Sequence, residues 1–243
     1  MNRRGWRRRG VDERAATGLA IRHDEAVAHL REGRPELAVP QLEQILIGCR
    51  TVFGVRQGPT LTVEGNLAVA YLCAERLDEG HALLLDVYKT RQRVLGAGDP
   101  DTLAAGDCLA TAHRLLGRNA EAVALGKRVA AARTQVLGRS HLDTLTSRMG
   151  LALAYLAAGA VPEARAQLQT ALGDAEGAHG RNHPHVIELR VALAKAHVAD
   201  GQMMAAVAEL DEAIAASETT YGPEHQETAD LHAERDELQP AAT

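Results

Sequence analysis

The sequence has few aromatic residues, few cysteines and no long apolar run. Only 2% of its 243 residues are Phe, Trp or Tyr, whereas 46% are hydrophobic, so the core must be mostly Ala, Leu and Val. Three cysteines in so long a chain exclude a disulfide scaffold and favour a reducing compartment. No apolar run approaches the ~20 residues that cross a bilayer, which argues against a membrane protein.

The N-terminus differs in charge from the rest of the chain. Residues 1–14 contain six arginines and two acidic residues, whereas the whole chain has a formal net charge of −5. A basic arm is able to contact nucleic acid or anionic lipid, but chain ends are commonly unstructured. We therefore expect residues 1–17 to be a disordered basic leader rather than a nucleic-acid-binding arm, and residues 239–243 to be a short tail.

A regular repeat runs through the remainder of the chain. The same 42-residue interval separates each of five glycines from the next: Gly54, Gly96, Gly138, Gly180 and Gly222. This period also repeats a Leu-Ala pair, at residues 67–68, 109–110, 151–152 and 193–194. A larger ring follows each pair, at Tyr71, His113, Tyr155 and His197, and a small residue follows later, at Gly80, Ala122, Ala164 and Ala206. Agreement at so many positions indicates a tandem array.

Each repeat has the pattern of two helices joined by a short turn. Apolar residues recur about every 3.6 positions in 102–116 and again in 120–137. A glycine lies between the two helical segments in three repeats, at Gly117, Gly159 and Gly201. In the repeat before them, Glu75 stands at the equivalent position. The repeated alanines allow the two helix axes to approach within ~8–10 Å. A single hairpin cannot bury its own apolar faces, so the repeats must stack.

The Leu-Ala-x-x-Tyr pattern, with the later glycine and alanine, resembles the tetratricopeptide repeat. The 42-residue period and linkers such as Leu95–Leu103 and Leu137–Leu145 are similar to the kinesin-light-chain type of that repeat. The resemblance implies an all-α fold, a right-handed superhelical α-solenoid of about five helix-turn-helix repeats and a C-terminal capping helix. The solenoid is predicted over 18–238, with repeats at about 19–54, 60–96, 102–138, 144–180 and 186–222 and the capping helix at 226–238.

Several histidines have the position of helix caps rather than of ligands. His141, His183 and His225 lie three residues after a linker glycine, where the third repeat has Asp99. A side chain that accepts a hydrogen bond there, followed by an acidic residue, is typical of a helix start. His179, His183 and His185 are the only local metal candidate, and the sequence offers no fourth ligand beside them. We expect capping, and no metal.

Catalytic motifs are absent from the sequence. It contains no GxGxxG after a strand, no GxxxxGK[ST], no GxSxG and no HExxH. Cys49, Cys73 and Cys108 have no CxxC spacing, so we interpret them as buried, inert thiols. We therefore expect neither an enzyme nor a cofactor.

The resemblance implies that the first helix of each repeat lines a concave groove that holds a peptide. Kinesin-light-chain repeats usually place an Asn there to grip the peptide backbone. In this sequence only Asn66 keeps that place, and Cys108, Gly150 and Ala192 stand at the matching positions. The inward positions that we assign to the predicted groove are Thr62, Asn66, Val69, Asp107, Thr111, Arg114, Thr146, Met149, Leu153, Glu188 and Lys195.

The preferred hypothesis is a cytoplasmic, non-catalytic adaptor that binds a peptide or protein partner of unknown identity. Similar arrays occur in bacterial proteins without any motor, so a kinesin role does not follow. One alternative is a structural module that associates with itself, and another is a sensing or regulatory subunit that acts with a separate effector chain. We expect a monomer or a weak homo-oligomer, without membrane contact.

Overall fold

The computed structural model describes residues 12–238, and this part of the chain is entirely helical between its turns. Eleven α-helices and no strand are present in the described part, in agreement with the predicted all-α repeat fold. Their bounds are α1 (Glu13–Arg31), α2 (Pro35–Val52), α3 (Gly58–Cys73), α4 (Leu77–Val94), α5 (Pro100–Leu115), α6 (Asn119–Leu137), α7 (Leu142–Ala157), α8 (Val161–His179), α9 (Pro184–Ala199), α10 (Met203–Tyr221) and α11 (Gln226–Leu238).

The start of α1 differs from the sequence prediction. The helix begins at Glu13, inside the segment 1–17 that we expected to be a leader. Asp12 is the reason, because its Oδ1 accepts hydrogen bonds from the backbone N–H groups of Arg14 (2.9 Å) and Ala15 (3.4 Å). These bonds satisfy donors of the first turn that otherwise have no partner in the helix. The rest of the predicted leader, residues 1–11, and the predicted tail, 239–243, lie outside the described residues.

The chain divides into two compact units, which we call unit 1 (up to Leu116) and unit 2 (from Gly117). In unit 1, helices α1 to α5 each pack on the next, and α3 also contacts α1 and α5. In unit 2, helices α6 to α11 pack in the same sequential way, with a further contact between α7 and α9. Sequential packing of helix hairpins is the arrangement that the repeat period predicts.

Both units have aliphatic cores, as the composition predicts. Leu42, Ile45 and Val63 are fully buried in unit 1, and Leu168, Leu193 and Leu210 have at most 2% of their surface exposed in unit 2. Phe53 is the only aromatic among the buried hydrophobic residues of the described chain. The alanines at the helix crossings, Ala68, Ala152 and Ala194, are buried, whereas Ala110 is half-buried.

The recurrent glycines lie at the ends of helices, as predicted. Gly138 and Gly180 follow α6 and α8 with φ of 90° and 85°, a conformation that residues with a Cβ rarely adopt. Inside the hairpins, Gly159 has φ of 75°, and the next residue donates a backbone hydrogen bond to the carbonyl of Tyr155 (2.9 Å). This bond satisfies a carbonyl of the last helical turn and reverses the chain into α8.

Candidate functional site

A cavity of about 490 Å³ lies in unit 1 beside the first helices of its repeats. We call it the first-helix cavity. Helices α1, α3 and α5 supply most of its lining, and α4 adds Leu84 and Arg91. The lining residues are Val27, Arg31, Gly58, Pro59, Thr62, Gly65, Asn66, Val69, Leu84, Arg91, Asp101, Ala104, Ala105 and Cys108. Its volume is in the range of ordinary ligand-binding clefts, about 300–1,000 Å³.

Asn66 is held at the cavity wall by a buried histidine. Its Nδ2 donates a hydrogen bond of 2.8 Å to Nε2 of His23, which is completely buried in α1. Burial lowers the pKa of His23, although Asp24, with Oδ1 3.7 Å from Nδ1, acts in the opposite direction. A neutral His23 keeps Nε2 as an acceptor. The bond therefore fixes the Asn66 amide and leaves its Oδ1 available at the cavity.

The charged groups of the cavity differ in how firmly they are held. Arg91 is 8% exposed, and its guanidinium donates to the backbone carbonyls of Asp101 (2.8 Å) and Leu61 (3.4 Å). Arg31, at the end of α1, and the side chain of Asp101, at the start of α5, are exposed. The cavity thus combines an apolar wall with one polar amide, one exposed cation and one exposed carboxylate. A mostly apolar lining with a few polar groups is the usual composition of a binding cleft.

The structure brings together only part of the predicted groove. Thr62, Asn66 and Val69 all line the first-helix cavity. Three predicted residues of α5 do not line it, although Cys108 of the same helix does. Those residues are Asp107, Thr111 and Arg114. The role of all six residues in binding stays a prediction.

In unit 2 the predicted positions lie on α7 and α9. Thr146 Oγ1 is 3.2 Å from Nε2 of His185, and Lys195 Nζ is 3.6 Å from a carboxylate oxygen of Glu234. Met149 and Leu153 are half-buried and Glu188 is exposed. The role of these five residues in binding stays a prediction.

Sequence reasoning missed several lining residues that the repeat register contains. Val27 stands one full period before Val69, and Ala104 stands one full period after Thr62. Extending the groove register to α1 and to the start of α5 would have found both. Leu84 and Arg91 belong to a second helix, and no signal in the sequence shows that they reach this cavity.

The predicted histidine caps are confirmed. Nδ1 of His141, His183 and His225 accepts the backbone N–H of Asp143 (3.2 Å), His185 (3.2 Å) and Glu227 (3.3 Å), respectively. Asp99 plays the same part in α5, with bonds of 2.9 and 3.3 Å. Burial, with the neighbouring His179 and His185, lowers the pKa of His183. That shift favours the neutral ring, which is the form able to cap.

The three histidines near the start of α9 contact one another, with the ring centroid of His183 4.9 Å from that of His179 and 5.6 Å from that of His185. Nε2 of His179 lies 2.7 Å from the carbonyl oxygen of Ser140, and His185 faces Thr146. With His183 acting as a cap, each ring has its own contact. Among residues 12–238, no group of three or more His, Cys, Asp or Glu side chains is arranged to hold a metal ion.

The thiols differ in their surroundings, and only Cys49 is buried as expected. Cys49 is fully buried, and burial raises the pKa of its thiol to about 12. Cys73 is exposed, and Cys108 lines the first-helix cavity. All three are free. The thiol of Cys49 stays protonated and unreactive at neutral pH, because only the thiolate is a nucleophile.

Comparisons of the sequence and the fold with known proteins point to one family. Two family models described as tetratricopeptide repeat match residues 60–101 and 102–177. A structure from Podosopora anserina, described as a kinesin light chain with nearly identical TPR-like repeats, has 29% identity and a TM-score of 0.71. That match covers 83% of this chain and 95% of the other.

More distant structures share the fold alone. A thermophilic TPR protein of Thermus thermophilus has 18% identity and a TM-score of 0.64, over 90% of this chain and 98% of the other. BtubC (BKLC) from P. vanneervenii has 14% identity and a TM-score of 0.58, over 95% and 94% of the two chains. No curated protein sequence matches.

The family has a general property that bears on function. Tetratricopeptide arrays are protein-interaction scaffolds, and the fold is typically non-catalytic. None of the helices in residues 12–238 is both long enough and apolar enough to cross a membrane. The sequence matches, the repeat period and the stacked hairpins agree, and the chain is a tetratricopeptide-repeat protein with repeats similar to those of kinesin light chains.

Proposed function

We propose that this protein is a non-catalytic adaptor that binds a peptide segment of a partner protein in the first-helix cavity of unit 1. The observation that carries the proposal is the cavity itself, which three predicted groove residues line together. Tetratricopeptide arrays bind protein partners, which gives the chemical class of the occupant. The three cysteines form no disulfide bond, which supports a reducing compartment such as the cytoplasm as its location.

The lining of the cavity supports an extended or helical segment of mixed character. Val27, Val69 and Leu84 offer an apolar wall for one or two side chains of the segment. The fixed amide of Asn66 is suited to a backbone N–H, since its Oδ1 accepts. Arg31 and Asp101 add one charge of each sign, so a segment with both an acidic and a basic side chain fits best.

Filling the cavity with a large side chain tests the proposal without removing any existing contact. Gly65 lines the cavity, and a Cβ at this position would have no atom within 4 Å. Gly65→Trp therefore places a large ring in the cavity while the core stays unchanged. Peptides selected from a display library of the host proteome should bind the variant at least tenfold more weakly than the wild type, as measured by calorimetry.

The matched control places the same side chain elsewhere. Gly173 in α8 is exposed, and a Cβ there also has open space around it. Gly173→Trp should bind the selected peptides like the wild type, and circular dichroism should show the same helix content for both variants. Equal affinity of Gly65→Trp and the wild type would overturn the assignment of the first-helix cavity.

A further inference from the structure

A second cavity, of about 390 Å³, lies in unit 2, and all of its charged side chains are basic. We call it the basic cavity. Its lining contains three cations and no acidic residue: Lys127, Ala130, Ala131, Thr134, Arg139, Arg148, Leu151, Tyr155 and Gln167. We propose that the basic cavity binds a phosphate monoester dianion. This proposal does not depend on the function proposed for the first-helix cavity.

The two arginines of the basic cavity are held in place by one carboxylate outside its lining. Asp174 in α8 contacts the guanidinium of Arg148 at 2.5 Å and that of Arg139 at 3.1 Å. Arg148 is 7% exposed, whereas the side chain of Arg139 is 62% exposed. Asp174 thus orients both guanidinium groups, and each keeps further N–H donors for an anion, because a guanidinium has five.

The third cation has no such partner. Lys127 in α6 is exposed, and its Nζ lies 5.4 Å from the ring centroid of Tyr155. No carboxylate of the described residues is within 4 Å of this ammonium group, and the electron-rich face of Tyr155 is its close favourable contact. Three cations against one carboxylate leave an excess of two positive charges at the basic cavity.

A comparison with the next repeat shows why the cavity is open and positive. Arg190 stands one full period after Arg148, and its guanidinium contacts Glu176 at 2.5 Å. The residue one full period before Glu176 is Thr134, which lines the basic cavity. The repeat that contains the basic cavity therefore lacks the acid that pairs with this arginine one repeat later. An external anion is able to take the place of that acid.

The charge and the donor geometry favour a phosphate monoester over a carboxylate. A phosphate monoester carries about −1.5 to −2 at neutral pH, which matches the excess of two positive charges. Guanidinium groups bind its oxygens in pairs, and an ammonium adds a third, movable donor. The amide of Gln167 supplies a further N–H donor in the lining.

The basic cavity is separate from the predicted groove of the same unit. Thr146, Met149 and Leu153 point to one side of α7, whereas Arg148, Leu151 and Tyr155 are turned by about 180° at ~100° per residue. Helices α6 and α8, the second helices of two consecutive repeats, and Arg139 in the linker between α6 and α7 supply the rest of the lining. A phosphorylated partner segment and a peptide in the predicted groove would therefore occupy different faces of α7.

The test titrates the full chain with three probes by calorimetry at low and at physiological salt. The probes are inorganic phosphate, a capped phosphoserine tripeptide and the same tripeptide with glutamate in place of phosphoserine. We expect both phosphate probes to bind and the glutamate peptide to bind at least fivefold more weakly than the phosphoserine peptide. Tighter binding of the phosphopeptide than of inorganic phosphate indicates a phosphorylated protein as the source. Equal binding indicates free phosphate, and both results support the site.

Variants on the surface of the basic cavity locate the binding. Lys127→Ala and Arg139→Ala should each weaken phosphate binding about five- to tenfold. Arg128→Ala is the matched control, because Arg128 is an exposed cation of the same helix that does not line the cavity. Thr134→Glu introduces an acid at the position that Glu176 occupies in the next repeat. We expect this variant to lose phosphate binding without a lower melting temperature.

Three results would overturn the proposal. The first is that neither phosphate probe binds. The second is that Arg128→Ala weakens binding as much as Lys127→Ala does, which would reveal a diffuse charge effect. The third is an equal affinity for the glutamate and the phosphoserine peptides, which would replace the phosphate assignment by a general acidic-peptide site.

Discussion

The hairpins α3–α4 in unit 1 and α7–α8 in unit 2 occupy equivalent places in the repeat, two periods apart, yet they are built differently. Both have a buried Ala at the helix crossing, Ala68 and Ala152, and the same type of turn. The backbone N–H of Arg76 donates to the carbonyl of Tyr71 at 2.8 Å, and Ala160 donates to Tyr155 at 2.9 Å. The turn geometry is therefore preserved where its sequence is not.

The two hairpins have different residues at three equivalent positions that matter for local stability. The turn residue is Glu75 in one and Gly159 in the other, with φ of 61° and 75°. The small residue of the second helix is Gly80 in one and Ala164 in the other. The residue before the first helix is Gln57, without a side-chain cap bond, or His141, with one. Stacking thus maintains a repeat whose local interactions are weaker, because most of its stability comes from neighbouring hairpins.

The largest expected effect is at the close approach of α3 and α4. A Cβ at Gly80 would lie 2.7 Å from Leu72 Cδ2 and 2.9 Å from the carbonyl oxygen of Ala68. Gly80→Ala should therefore destabilise the protein by about 2 kcal/mol, although Ala is the better helix former. Denaturant unfolding followed by circular dichroism measures the difference in the free energy of unfolding.

The control for this effect is a helical glycine in open space. Gly150 in α7 is exposed and has no atom within 4 Å of an added Cβ, so Gly150→Ala should stabilise by up to about 1 kcal/mol. A Gly80→Ala variant as stable as the wild type would show that α3 and α4 are further apart than described.

A smaller effect is expected at the turn of the same hairpin. Glu75 is exposed and adopts a left-handed conformation, which costs a residue with a Cβ about 1 kcal/mol. Glu75→Gly should raise the free energy of unfolding by about that amount, and Gly159→Glu should lower it by a similar amount. Thermal melts of both single variants check the two signs. A loss of stability in Glu75→Gly would contradict the assigned turn.

The smallest effect is expected at the helix start. Gln57 provides no side-chain bond to the first turn of α3, whereas Asp99 provides two in α5. Gln57→Asp should stabilise by about 0.5 kcal/mol through a new cap. Gln57→Asn keeps a capping side chain without the charge, and comparing the two in a melting series separates the hydrogen bond from the dipole effect. No gain in either variant would mean that the start of α3 is closed by other contacts.

Features that depend on neighbours in sequence were predictable. The glycines of the period lie at helix ends because positive φ is a local requirement, and His141, His183 and His225 cap because the acceptor and the donor are two residues apart. The start of α1 was missed, although Asp12 followed by Glu13 is a helix-start signal.

The candidate site was predictable only in part. Thr62, Asn66 and Val69 follow from the register of α3. The bond from Asn66 to His23 joins residues on α1 and α3, and the reach of Arg91 from α4 to the carbonyls of Leu61 and Asp101 joins three helices. Such contacts depend on helix separations and side-chain rotamers that no spacing in the sequence specifies.

The amino-acid sequence alone determined the period, the helix pairs, their caps and the aliphatic character of the core, because each depends on local geometry or on composition. The tertiary structure decided where space and charge remain between the helices. Only packing shows that Gly65 faces a cavity while Gly80 touches a neighbouring helix, and that Asp174 in α8 contacts both Arg148 and Arg139. Free volume and charge balance are sums over residues distant in sequence, so they exist only once the hairpins are stacked.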